Sequence, residues 1–368
     1  MNSEPKRATV VVAMSGGVDS SVAAALLLEQ GYNVVGVTMK TYDFDEVGGN
    51  VQNEVSCCGL GAMQDARLVA SQLGIPHYVV DFREAFGHKV VDYFVGEYLD
   101  GKTPNPCIVC NRDIKWGELL RKAEALGAQY VATGHYAQVR MDERRNRFVV
   151  SRGRYSLKDQ SYALWAVSQP ALRKTLFPLG QMTKPEVREL ALKYGLRTAQ
   201  KEESYEICFV ADNDYERFLR ERVGQLDREI AGGDIVSNGN VVGRHGGYPF
   251  YTIGQRKGIG AHGARMYVTG IEKDTNVVNI GREQDLFHTS LTATDANWVG
   301  IAGLDSPRKV HAQVRYKDHP EAATVYPVEG GFRVEFEQPK RAIAPGQSVV
   351  LYEDDDVLGG GIIDKVLM

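Results

Sequence analysis

Short apolar runs alternate with amphipathic stretches along the first half of the chain. Four of these runs are rich in β-branched residues, as in strands buried on both faces; they are residues 8–14, 33–39, 77–81 and 130–133. Three stretches have helical spacing and are each followed by a glycine, which commonly ends a helix; they are residues 19–30, 62–73 and 116–126. The alternation predicts an α/β fold with a doubly wound parallel sheet.

The alternation stops after residue 210. From there, short β-branched segments are separated by Gly, Asn and Asp turns; they are residues 232–242, 263–271, 277–281, 310–315, 332–336 and 348–352. This pattern predicts small antiparallel β domains, including a barrel. We therefore predict three domains, an α/β domain, a small β-rich domain and a β-barrel-like domain, at residues 1–212, 213–290 and 291–368.

Two irregular segments interrupt the pattern of the first half. Residues 41–61 contain four glycines, and residues 101–111 contain two prolines and two cysteines. Both are predicted loops. Loops on a rigid sheet often carry function, so both segments are candidate parts of a functional site.

The composition is that of an ordinary globular protein. The 368 residues include 43 Lys and Arg against 47 Asp and Glu, which excludes collagen-like and disordered chains. No apolar stretch approaches the roughly 20 residues that cross a bilayer, and the short polar N-terminus does not resemble a signal peptide. We predict a cytoplasmic protein with no membrane contact, whose five cysteines are thiols, thiolates, metal ligands or transient redox partners.

The strongest chemical signal joins the first predicted strand to the first predicted helix. It is the sequence S-G-G-V-D-S-S at residues 15–21. Its glycines allow the backbone to approach an anion closely, and backbone N–H groups with three serine hydroxyls can donate to phosphate. The motif lacks the Gly-Lys-Ser/Thr of a Walker loop. A simple helix cap is the alternative, although capping requires only one Ser or Asp.

Two further positions lie where parallel strands are predicted to end. Met39 closes the second predicted strand, and Gly134 and His135 follow the strand at residues 130–133. Nucleotides bind at this edge of open α/β sheets, so these residues are candidate ligand contacts. The alternatives are a core methionine and a structural histidine.

The cysteines fall into two groups. Cys107 and Cys110 form a C-x-x-C pair, and Cys208 lies in the sequence E-I-C-F. A C-x-x-C pair favours redox chemistry or metal binding, but a closed zinc site would lack a clear fourth ligand. Cys57 and Cys58 are adjacent in the glycine-rich segment, where we predict that they behave as small hydrophobic residues.

Two basic stretches alter the picture given by the net charge of −4. Residues 140–158 contain seven Arg or Lys residues but only Asp142 and Glu143. The second stretch contains Arg308, Lys309, Arg315, Tyr316 and Lys317. A charge run is usually a solvated surface; the alternative is a surface that follows nucleic-acid phosphates.

Several motifs occur together and in order. They are the segment at 15–21, T-P-N-P-C-I-V-C-N at 103–111, A-T-G-H-Y-A at 132–137, K-D-Q-S-Y at 158–162, I-C-F at 207–209 and Y-T-I-G-Q-R-K-G at 251–258. On these motifs the chain resembles the MnmA family of tRNA-specific 2-thiouridylases, within the PP-loop ATP pyrophosphatase superfamily. The resemblance covers nearly the whole chain and implies that residues 1–212 are the catalytic domain.

The resemblance implies an ATP-dependent tRNA sulfurtransferase. Such an enzyme adenylates the C2 oxygen of the wobble uridine, after which a cysteine persulfide delivers sulfur to C2 and AMP leaves. By position, Cys208 would hold the persulfide and Cys110 would form a transient disulfide with it. The chemistry is consistent, because adenylation makes the oxygen a leaving group and a persulfide is a strong nucleophile at neutral pH.

The resemblance also assigns binding residues by position. The ATP-binding residues would be Ala13, Met14, Ser15, Gly16, Gly17, Val18, Asp19, Ser20, Met39 and Gly134. The target base would be contacted by Asn105, Pro106 and Cys107. The tRNA-binding residues would be His135, Lys158, Asp159, Gln160, Arg315, Tyr316 and Gln347. The implied cofactors are ATP and Mg²⁺, which Asp19 would help to hold.

Cys107 departs from the family pattern, in which many members carry Asp at this position. A thiol cannot do a carboxylate's work there. Because thiolates are good iron ligands, Cys107, Cys110 and Cys208 could instead hold a [4Fe-4S] cluster with one open iron. The persulfide and cluster mechanisms are both open at this point.

The implied substrate is the anticodon stem-loop of tRNA, whose target uridine must be flipped out to react. The implied sulfur donor is a persulfide relay protein or a cysteine desulfurase, and we expect a monomer in the absence of tRNA. An amide-forming PP-loop ligase is an alternative that would not need Cys110 and Cys208. A non-catalytic RNA-binding or redox-sensing protein is another, and it would not convert ATP to AMP.

Overall fold

The computed structural model describes residues 7–42, 60–202, 207–210, 212–230 and 232–367. The chain divides into two compact units: residues 1–90, 107–213 and 355–357 form the first, and residues 91–106, 214–354 and 358–368 form the second. Cys57 and Cys58 lie outside the described residues, as does most of the predicted loop at 41–61. The three predicted domains stay a prediction, because the second unit contains most of both predicted β domains.

The first unit is built on a five-stranded parallel sheet. The strands of this unit are β1 (Thr9–Ala13), β2 (Asn33–Lys40), β3 (His77–Asp81), β4 (Tyr130–Ala132), β5 (Ala137–Asp142), β6 (Arg147–Arg152) and β7 (Thr175–Leu176). The sheet has the order β3-β2-β1-β4-β7. All four adjacent pairs are parallel, which confirms the predicted fold class.

The α-helices of the chain are α1 (Val18–Glu29), α2 (Leu60–Leu73), α3 (Arg83–Phe86), α4 (Asp92–Leu99), α5 (Pro106–Val109), α6 (Leu120–Ala125), α7 (Gln169–Leu172), α8 (Lys184–Lys193), α9 (Tyr215–Arg222) and α10 (Leu226–Ile230). Two π-helical segments are Gly87–Val91 and Cys110–Leu119. The prediction of a loop at 101–111 is wrong from Pro106 onward. Proline is preorganised for the first position of a helix, and the helix that Pro106 opens continues beyond Cys110.

Strand β1 is buried on both faces at the centre of the sheet. Val10, Val11 and Val12 are at most 1% exposed. Val22 of α1 and Val187 of α8 join the apolar cluster that contains Val10 and Val12. This packing gives a rigid base to the segment that follows the carboxyl end of β1.

A β-hairpin that the hydrophobic pattern does not predict follows β4. Strands β5 and β6 pair antiparallel, and Asn146 in their turn has a φ of 49°. The basic stretch at 140–158 therefore lies largely on a hairpin of the first unit. Its frequent arginines conceal the strand pattern in the sequence.

The second unit contains two β structures. Its strands are β8 (Gly233–Ser237), β9 (Asn240–His245), β10 (Tyr267–Glu272), β11 (Val277–Gly281), β12 (Phe287–Trp298), β13 (Arg308–Gln313), β14 (Glu321–Val328), β15 (Gly331–Arg341), β16 (Ser348–Glu353) and β17 (Asp356–Leu367). A four-stranded sheet has the order β10-β11-β8-β9. Strands β12-β15-β14-β13-β16-β17 form a six-stranded barrel, which the β12–β17 pairing closes.

Two details of the predicted β domains are wrong. The predicted strand at 232–242 is the hairpin β8–β9, whose turn residues Asn238 and Gly239 have φ of 49° and 75°. The four-stranded sheet is not wholly antiparallel, because β11 pairs with β8 in parallel. None of the helices in the described part of the chain is long and apolar enough to cross a membrane.

Candidate active site

The segment at 15–21 forms an ordered loop between β1 and α1. The Ser20 hydroxyl accepts a hydrogen bond from the Ser15 backbone N–H (3.2 Å) and donates to the Gly17 carbonyl (3.2 Å). Ser21 donates to the same carbonyl at 2.8 Å. Gly17 precedes α1 and has no side chain with which to cap its N–H groups. A helix N-terminus of this kind favours an anion such as phosphate.

Two glycines make contacts that no other residue could make. Gly16 has a φ of +68°, and a Cβ built on it would lie 2.0 Å from the Ala62 carbonyl oxygen. A Cβ on Gly134 would lie 2.8 Å from the Ser20 nitrogen. The structure therefore brings Gly134, which follows β4, against the first turn of α1, so two predicted ATP-binding segments lie next to each other.

Asp19 is held by two residues that are not among the predicted site residues. Lys184 Nζ donates to both Asp19 carboxylate oxygens, at 2.7 and 2.8 Å, and the Tyr136 hydroxyl donates to Oδ1 at 2.7 Å. The Lys184 side chain is 8% exposed and that of Asp19 is 31% exposed. The Thr183 capping box that starts α8 is a sequence signal for the helix, but not for this ion pair.

A second lysine supports the loop from another side. Lys201 Nζ donates to the Gly16 carbonyl at 3.1 Å and pairs with Asp65 at 2.7 Å. Asp65 lies on α2, the helix whose Ala62 carbonyl faces Gly16. The conformation of Gly16 is therefore fixed by contacts from distant parts of the chain.

The predicted ATP-binding residues Ala13 to Ser20 are contiguous at the carboxyl end of β1. Met14 is buried at 2% exposure, and its carbonyl accepts a hydrogen bond from Thr38 at 2.8 Å. Met39 follows Thr38 and is half-buried near the end of β2. The neighbouring strand ends thus lie together, and nucleotide binding by these residues stays a prediction.

His135 is buried in the first unit. Its Nδ1 lies 2.6 Å from the Thr133 hydroxyl, and its ring packs against Trp116 and Phe177. Burial, followed by the charge of Lys115, lowers the pKa of His135 well below the usual 6.5. The ring is therefore neutral at neutral pH. This placement favours a structural role, and the contact of His135 with tRNA stays a prediction.

The buried imidazole predicts a loss of stability in mild acid. Below a pH of about 6.5, His135 takes up a proton in the unfolded chain but resists protonation in the folded chain. The contribution of His135 to folding stability is therefore fully present above that pH and is lost as the pH falls below it. The decline is at most about 1.4 kcal/mol per pH unit for one group. We expect the melting temperature of His135→Gln to fall less steeply with acidification than that of the wild type. His311→Gln, at an exposed position, is the control, and equal slopes for wild type and His135→Gln would contradict the prediction.

Asp159 and Gln160 use their side chains to order their own loop. Asp159 accepts hydrogen bonds from the Gly153 N–H at 2.9 Å and the Ser161 hydroxyl at 2.8 Å. Gln160 accepts from the Tyr136 N–H at 2.9 Å. Lys158 ends the short 3-10 turn before them. The contacts of these three residues with tRNA stay a prediction.

Several arginines of the basic stretch have acidic partners. The pairs are Arg140–Asp356, Arg145–Asp356, Arg152–Asp159 and Arg154–Glu186, with N–O distances of 2.8, 3.2, 3.3 and 3.5 Å. Asp356 is 8% exposed and also accepts a hydrogen bond from Ser151. The hairpin is thus less positive than the local sequence count indicates, because Asp356 and Glu186 come from distant parts of the chain.

Cys107, Cys110 and Cys208 are thiols in the structure. Cys107 is exposed on α5, Cys110 is half-buried where the π-helical segment begins, and Cys208 is half-buried in a turn. The turn is anchored by Phe209, whose ring lies 5.6 Å from that of Phe86. Among the described residues, no three His, Cys, Asp or Glu side chains are grouped so that they could hold a metal ion. The three cysteines, as placed, do not fit an iron–sulfur cluster.

The remaining predicted residues lie in the second unit. Arg315 and Tyr316 form a turn whose carbonyls accept hydrogen bonds from Gln313, at 3.0 and 2.9 Å. Tyr316 is 38% exposed. Asn105 and Pro106 also lie in this unit, close in sequence to the carbonyls that Gln347 binds, those of Thr103 and Pro104.

Three family models match consecutive parts of the chain. A model described as a tRNA methyl transferase HUP domain matches residues 8–212. A tRNA methyl transferase PRC-barrel domain model matches residues 216–282, and an aminomethyltransferase β-barrel domain model matches residues 288–363. The models therefore account for nearly the whole chain.

The chain is also similar over nearly its full length to curated proteins named tRNA-specific 2-thiouridylase MnmA. The protein from Salinibacter ruber is 53% identical over 365 residues, which cover 98% of this chain and 95% of that protein. The protein from Heliobacterium modesticaldum is 52% identical, with 98% and 93% of the two chains covered. The protein from Carboxydothermus hydrogenoformans is 52% identical, with 98% and 99% covered.

Proposed function

Because this chain belongs to the MnmA family of tRNA-specific 2-thiouridylases, we propose that it uses ATP to replace the C2 oxygen of the wobble uridine in tRNA by sulfur. The near full-length identity of 52–53% to proteins of that name carries the proposal. The loop at 15–21 and the thiols of Cys110 and Cys208 supply the chemistry that such a reaction requires.

The first step is adenylation of the uridine C2 oxygen. The loop N–H groups and the hydroxyls of Ser15 and Ser20 would bind the ATP phosphates, with the N-terminus of α1 behind them. Asp19 is a partly exposed carboxylate at that terminus, and carboxylates are preferred ligands of Mg²⁺. A bound Mg²⁺ would neutralise phosphate charge, and the Lys184 ammonium would then have to leave at least one Asp19 oxygen. Asp19 and the 15–21 loop therefore fit ATP with a bound Mg²⁺.

The second step transfers sulfur. The terminal sulfur of a persulfide on Cys208 attacks C2, and the C2–O bond breaks so that AMP leaves with its electron pair. The Cys110 thiolate then attacks the Cys208 sulfur, which forms the Cys110–Cys208 disulfide and leaves the new sulfur on C2. An external thiol must reduce this disulfide before the next turnover, because the two cysteines have been oxidised.

The binding partners follow from the same proposal. Asn105, Pro106 and Cys107 would contact the flipped uridine. The anticodon stem-loop would be contacted by Lys158, Asp159, Gln160, Arg315 and Tyr316. Lys158 and Arg315 supply charges suited to phosphate. We propose that a persulfide relay protein or cysteine desulfurase loads Cys208 and that the enzyme acts as a cytoplasmic monomer until it binds tRNA.

A cluster-dependent version of the same reaction is less well supported. It would require Cys107, Cys110 and Cys208 to converge on one group of ligands, which the described residues do not do. The persulfide mechanism needs only two of these cysteines. Iron and sulfide analysis after anaerobic purification discriminates the two mechanisms, because a colourless, iron-free and fully active enzyme excludes the cluster.

Methyl transfer is the second candidate, because the family descriptions name a tRNA methyl transferase. A methyl transfer needs neither a triphosphate-binding loop nor a pair of reactive cysteines. The ordered serines of the 15–21 loop therefore favour adenylation. The two functions give tRNA nucleosides of different mass.

The test is mass spectrometry of tRNA nucleosides after reaction with ATP, Mg²⁺ and a persulfide source. We expect 2-thiouridine with the wild type and a loss of at least about a thousandfold in its formation with Cys208→Ser, because the nucleophile is gone. ATP binding is expected to stay at the wild-type level, since Cys208 is not part of the loop.

Other outcomes identify the alternatives. Conversion of ATP to AMP that is as fast in a Cys110→Ser/Cys208→Ser double variant as in the wild type would favour an amide-forming ligase. A methylated nucleoside would favour methyl transfer. If neither the wild type nor variants of the 15–21 loop convert ATP to AMP, the result would favour a non-catalytic RNA-binding or redox-sensing protein.

A further inference from the structure

The segment that leads to Asn105 and Pro106 has little means of ordering itself. Prolines occupy positions 104 and 106, so neither residue has a backbone N–H to donate. The carbonyls of Thr103 and Pro104 must therefore accept hydrogen bonds from donors in other parts of the chain. The structure shows that the rest of the second unit supplies them.

The start of this segment is bound by two connections between strands of the four-stranded sheet, the 3-10 turn that follows β9 and the turn between β10 and β11. The Tyr248 hydroxyl donates to the Leu99 carbonyl at 2.6 Å, and Lys273 pairs with Asp100. These contacts fix the chain as it leaves α4. They do not reach the residues next to Asn105.

The end of the segment is held by a loop of the β-barrel. The Thr103 N–H donates to the Pro345 carbonyl at 2.8 Å. The Gln347 side-chain Nε2 donates to the Thr103 carbonyl at 2.8 Å and to the Pro104 carbonyl at 3.3 Å. Both N–H bonds of the Gln347 amide are thus directed to the two residues that precede Asn105.

The barrel loop is itself rigid and closely fitted. Gly346 donates to the Ile363 carbonyl at 2.9 Å, and Ile363 donates back to the Gln347 carbonyl at 2.8 Å, so the loop is tied to β17. Gly346 has a φ of +86°, and a Cβ on it would lie 2.9 Å from the Thr103 nitrogen. The barrel backbone could not approach Thr103 this closely with any other residue at position 346.

We propose that Gln347 is a positioning residue, which with Gly346 fixes the Thr103–Pro104 backbone so that Asn105 and Pro106 are presented to the target base. This inference rests on the proposed function and differs from the contact with tRNA that the family resemblance assigns to Gln347. A glutamine whose two N–H bonds are used inside the protein acts on the reaction through the backbone that it holds.

The test uses two variants that break the contact in different ways. Gln347→Glu keeps the size of the side chain but replaces the donor by a carboxylate, which repels the two carbonyls. Gly346→Ala alters the same contact without changing a side chain that could reach tRNA. Gly330→Ala is the matched control, because Gly330 also has a positive φ, +76°, but an added Cβ there meets nothing within 4 Å.

For the two clamp variants, Gln347→Glu and Gly346→Ala, we expect the turnover number for 2-thiouridine formation to fall by roughly tenfold to a hundredfold, as misplacement of a binding segment does. The dissociation constants for tRNA and ATP should stay close to those of Gly330→Ala. Melting temperatures should show that each variant is folded. The Thr103 amide should exchange with solvent faster in the clamp variants than in Gly330→Ala.

Either of two results would overturn the proposal. The first is a loss of tRNA affinity in Gln347→Glu with normal turnover at saturating tRNA, which would show a direct contact with tRNA. The second is a Gly346→Ala variant indistinguishable from Gly330→Ala in turnover and in Thr103 exchange. If the wild type itself forms no 2-thiouridine, the proposed function fails. Equal Thr103 exchange in all variants would separately refute the positioning role of Gln347 and Gly346.

Discussion

Gly16→Ala is expected to weaken ATP binding and to destabilise the first unit. An alanine at this φ of +68° places its Cβ 2.0 Å from the Ala62 carbonyl oxygen. The left-handed conformation costs roughly 1–2 kcal/mol with a Cβ, and the overpacking adds about 1–3 kcal/mol. The atoms that this Cβ meets are backbone atoms of Ala62, so the loop or α2 must move. We expect a fall in melting temperature of roughly 5–15 °C and a loss of ATP affinity, measured by calorimetry, of at least about tenfold.

Gly61→Ala is the matched control for this experiment. Gly61 precedes Ala62 on the same helix, and a Cβ added to it meets nothing within 4 Å. Because alanine favours a helix by up to about 1 kcal/mol over glycine, its melting temperature should be equal to or above that of the wild type. Wild-type ATP affinity in Gly16→Ala would show that the loop does not approach α2 in solution.

The fold was predictable where one local pattern determined one element. Val10, Val11 and Val12 predict a buried strand and are its buried residues, because a central parallel strand has no polar face. The hairpin β5–β6 was not predictable in this way, since its arginines are satisfied by acidic residues far away in sequence, such as Asp356. The Asn238-Gly239 turn was a readable hairpin signal that the strand assignment at 232–242 overlooked.

The candidate site likewise has a part that was predictable from the sequence and a part that was not. The 15–21 loop is contiguous in sequence, so its residue types disclose its chemistry. Lys184 is 165 residues from Asp19, and only the folded chain shows that they form a pair. His135 illustrates the opposite case, because a motif position does not reveal whether a side chain is buried. Burial is a property of the packing around Trp116 and Phe177, not of the motif.

Lys184→Met is expected to weaken both the fold and ATP binding. The variant keeps an unbranched apolar side chain but removes the ammonium that donates to both Asp19 oxygens. Breaking a fully buried ion pair costs about 3–5 kcal/mol; since Asp19 is 31% exposed, we expect roughly 1–3 kcal/mol of destabilisation. Loss of a cation beside the 15–21 loop, where we propose that the ATP phosphates bind, should weaken ATP binding by about tenfold. Lys193→Met, exposed in the last turn of the same helix, should change neither quantity.

A double-mutant cycle with Asp19→Asn determines whether the pair causes these effects. If the ammonium acts through Asp19, Lys184→Met should cost much less stability in the Asp19→Asn background than in the wild type. Additive losses would contradict this, because they would mean that Lys184 acts independently of Asp19, for example through its packing near the Tyr136 ring at 5.9 Å. Non-additive losses would instead show that Lys184 of α8 balances the charge of Asp19 in the 15–21 loop. The short sequence motif would then contain only part of the site, because Lys184 is distant from it in sequence.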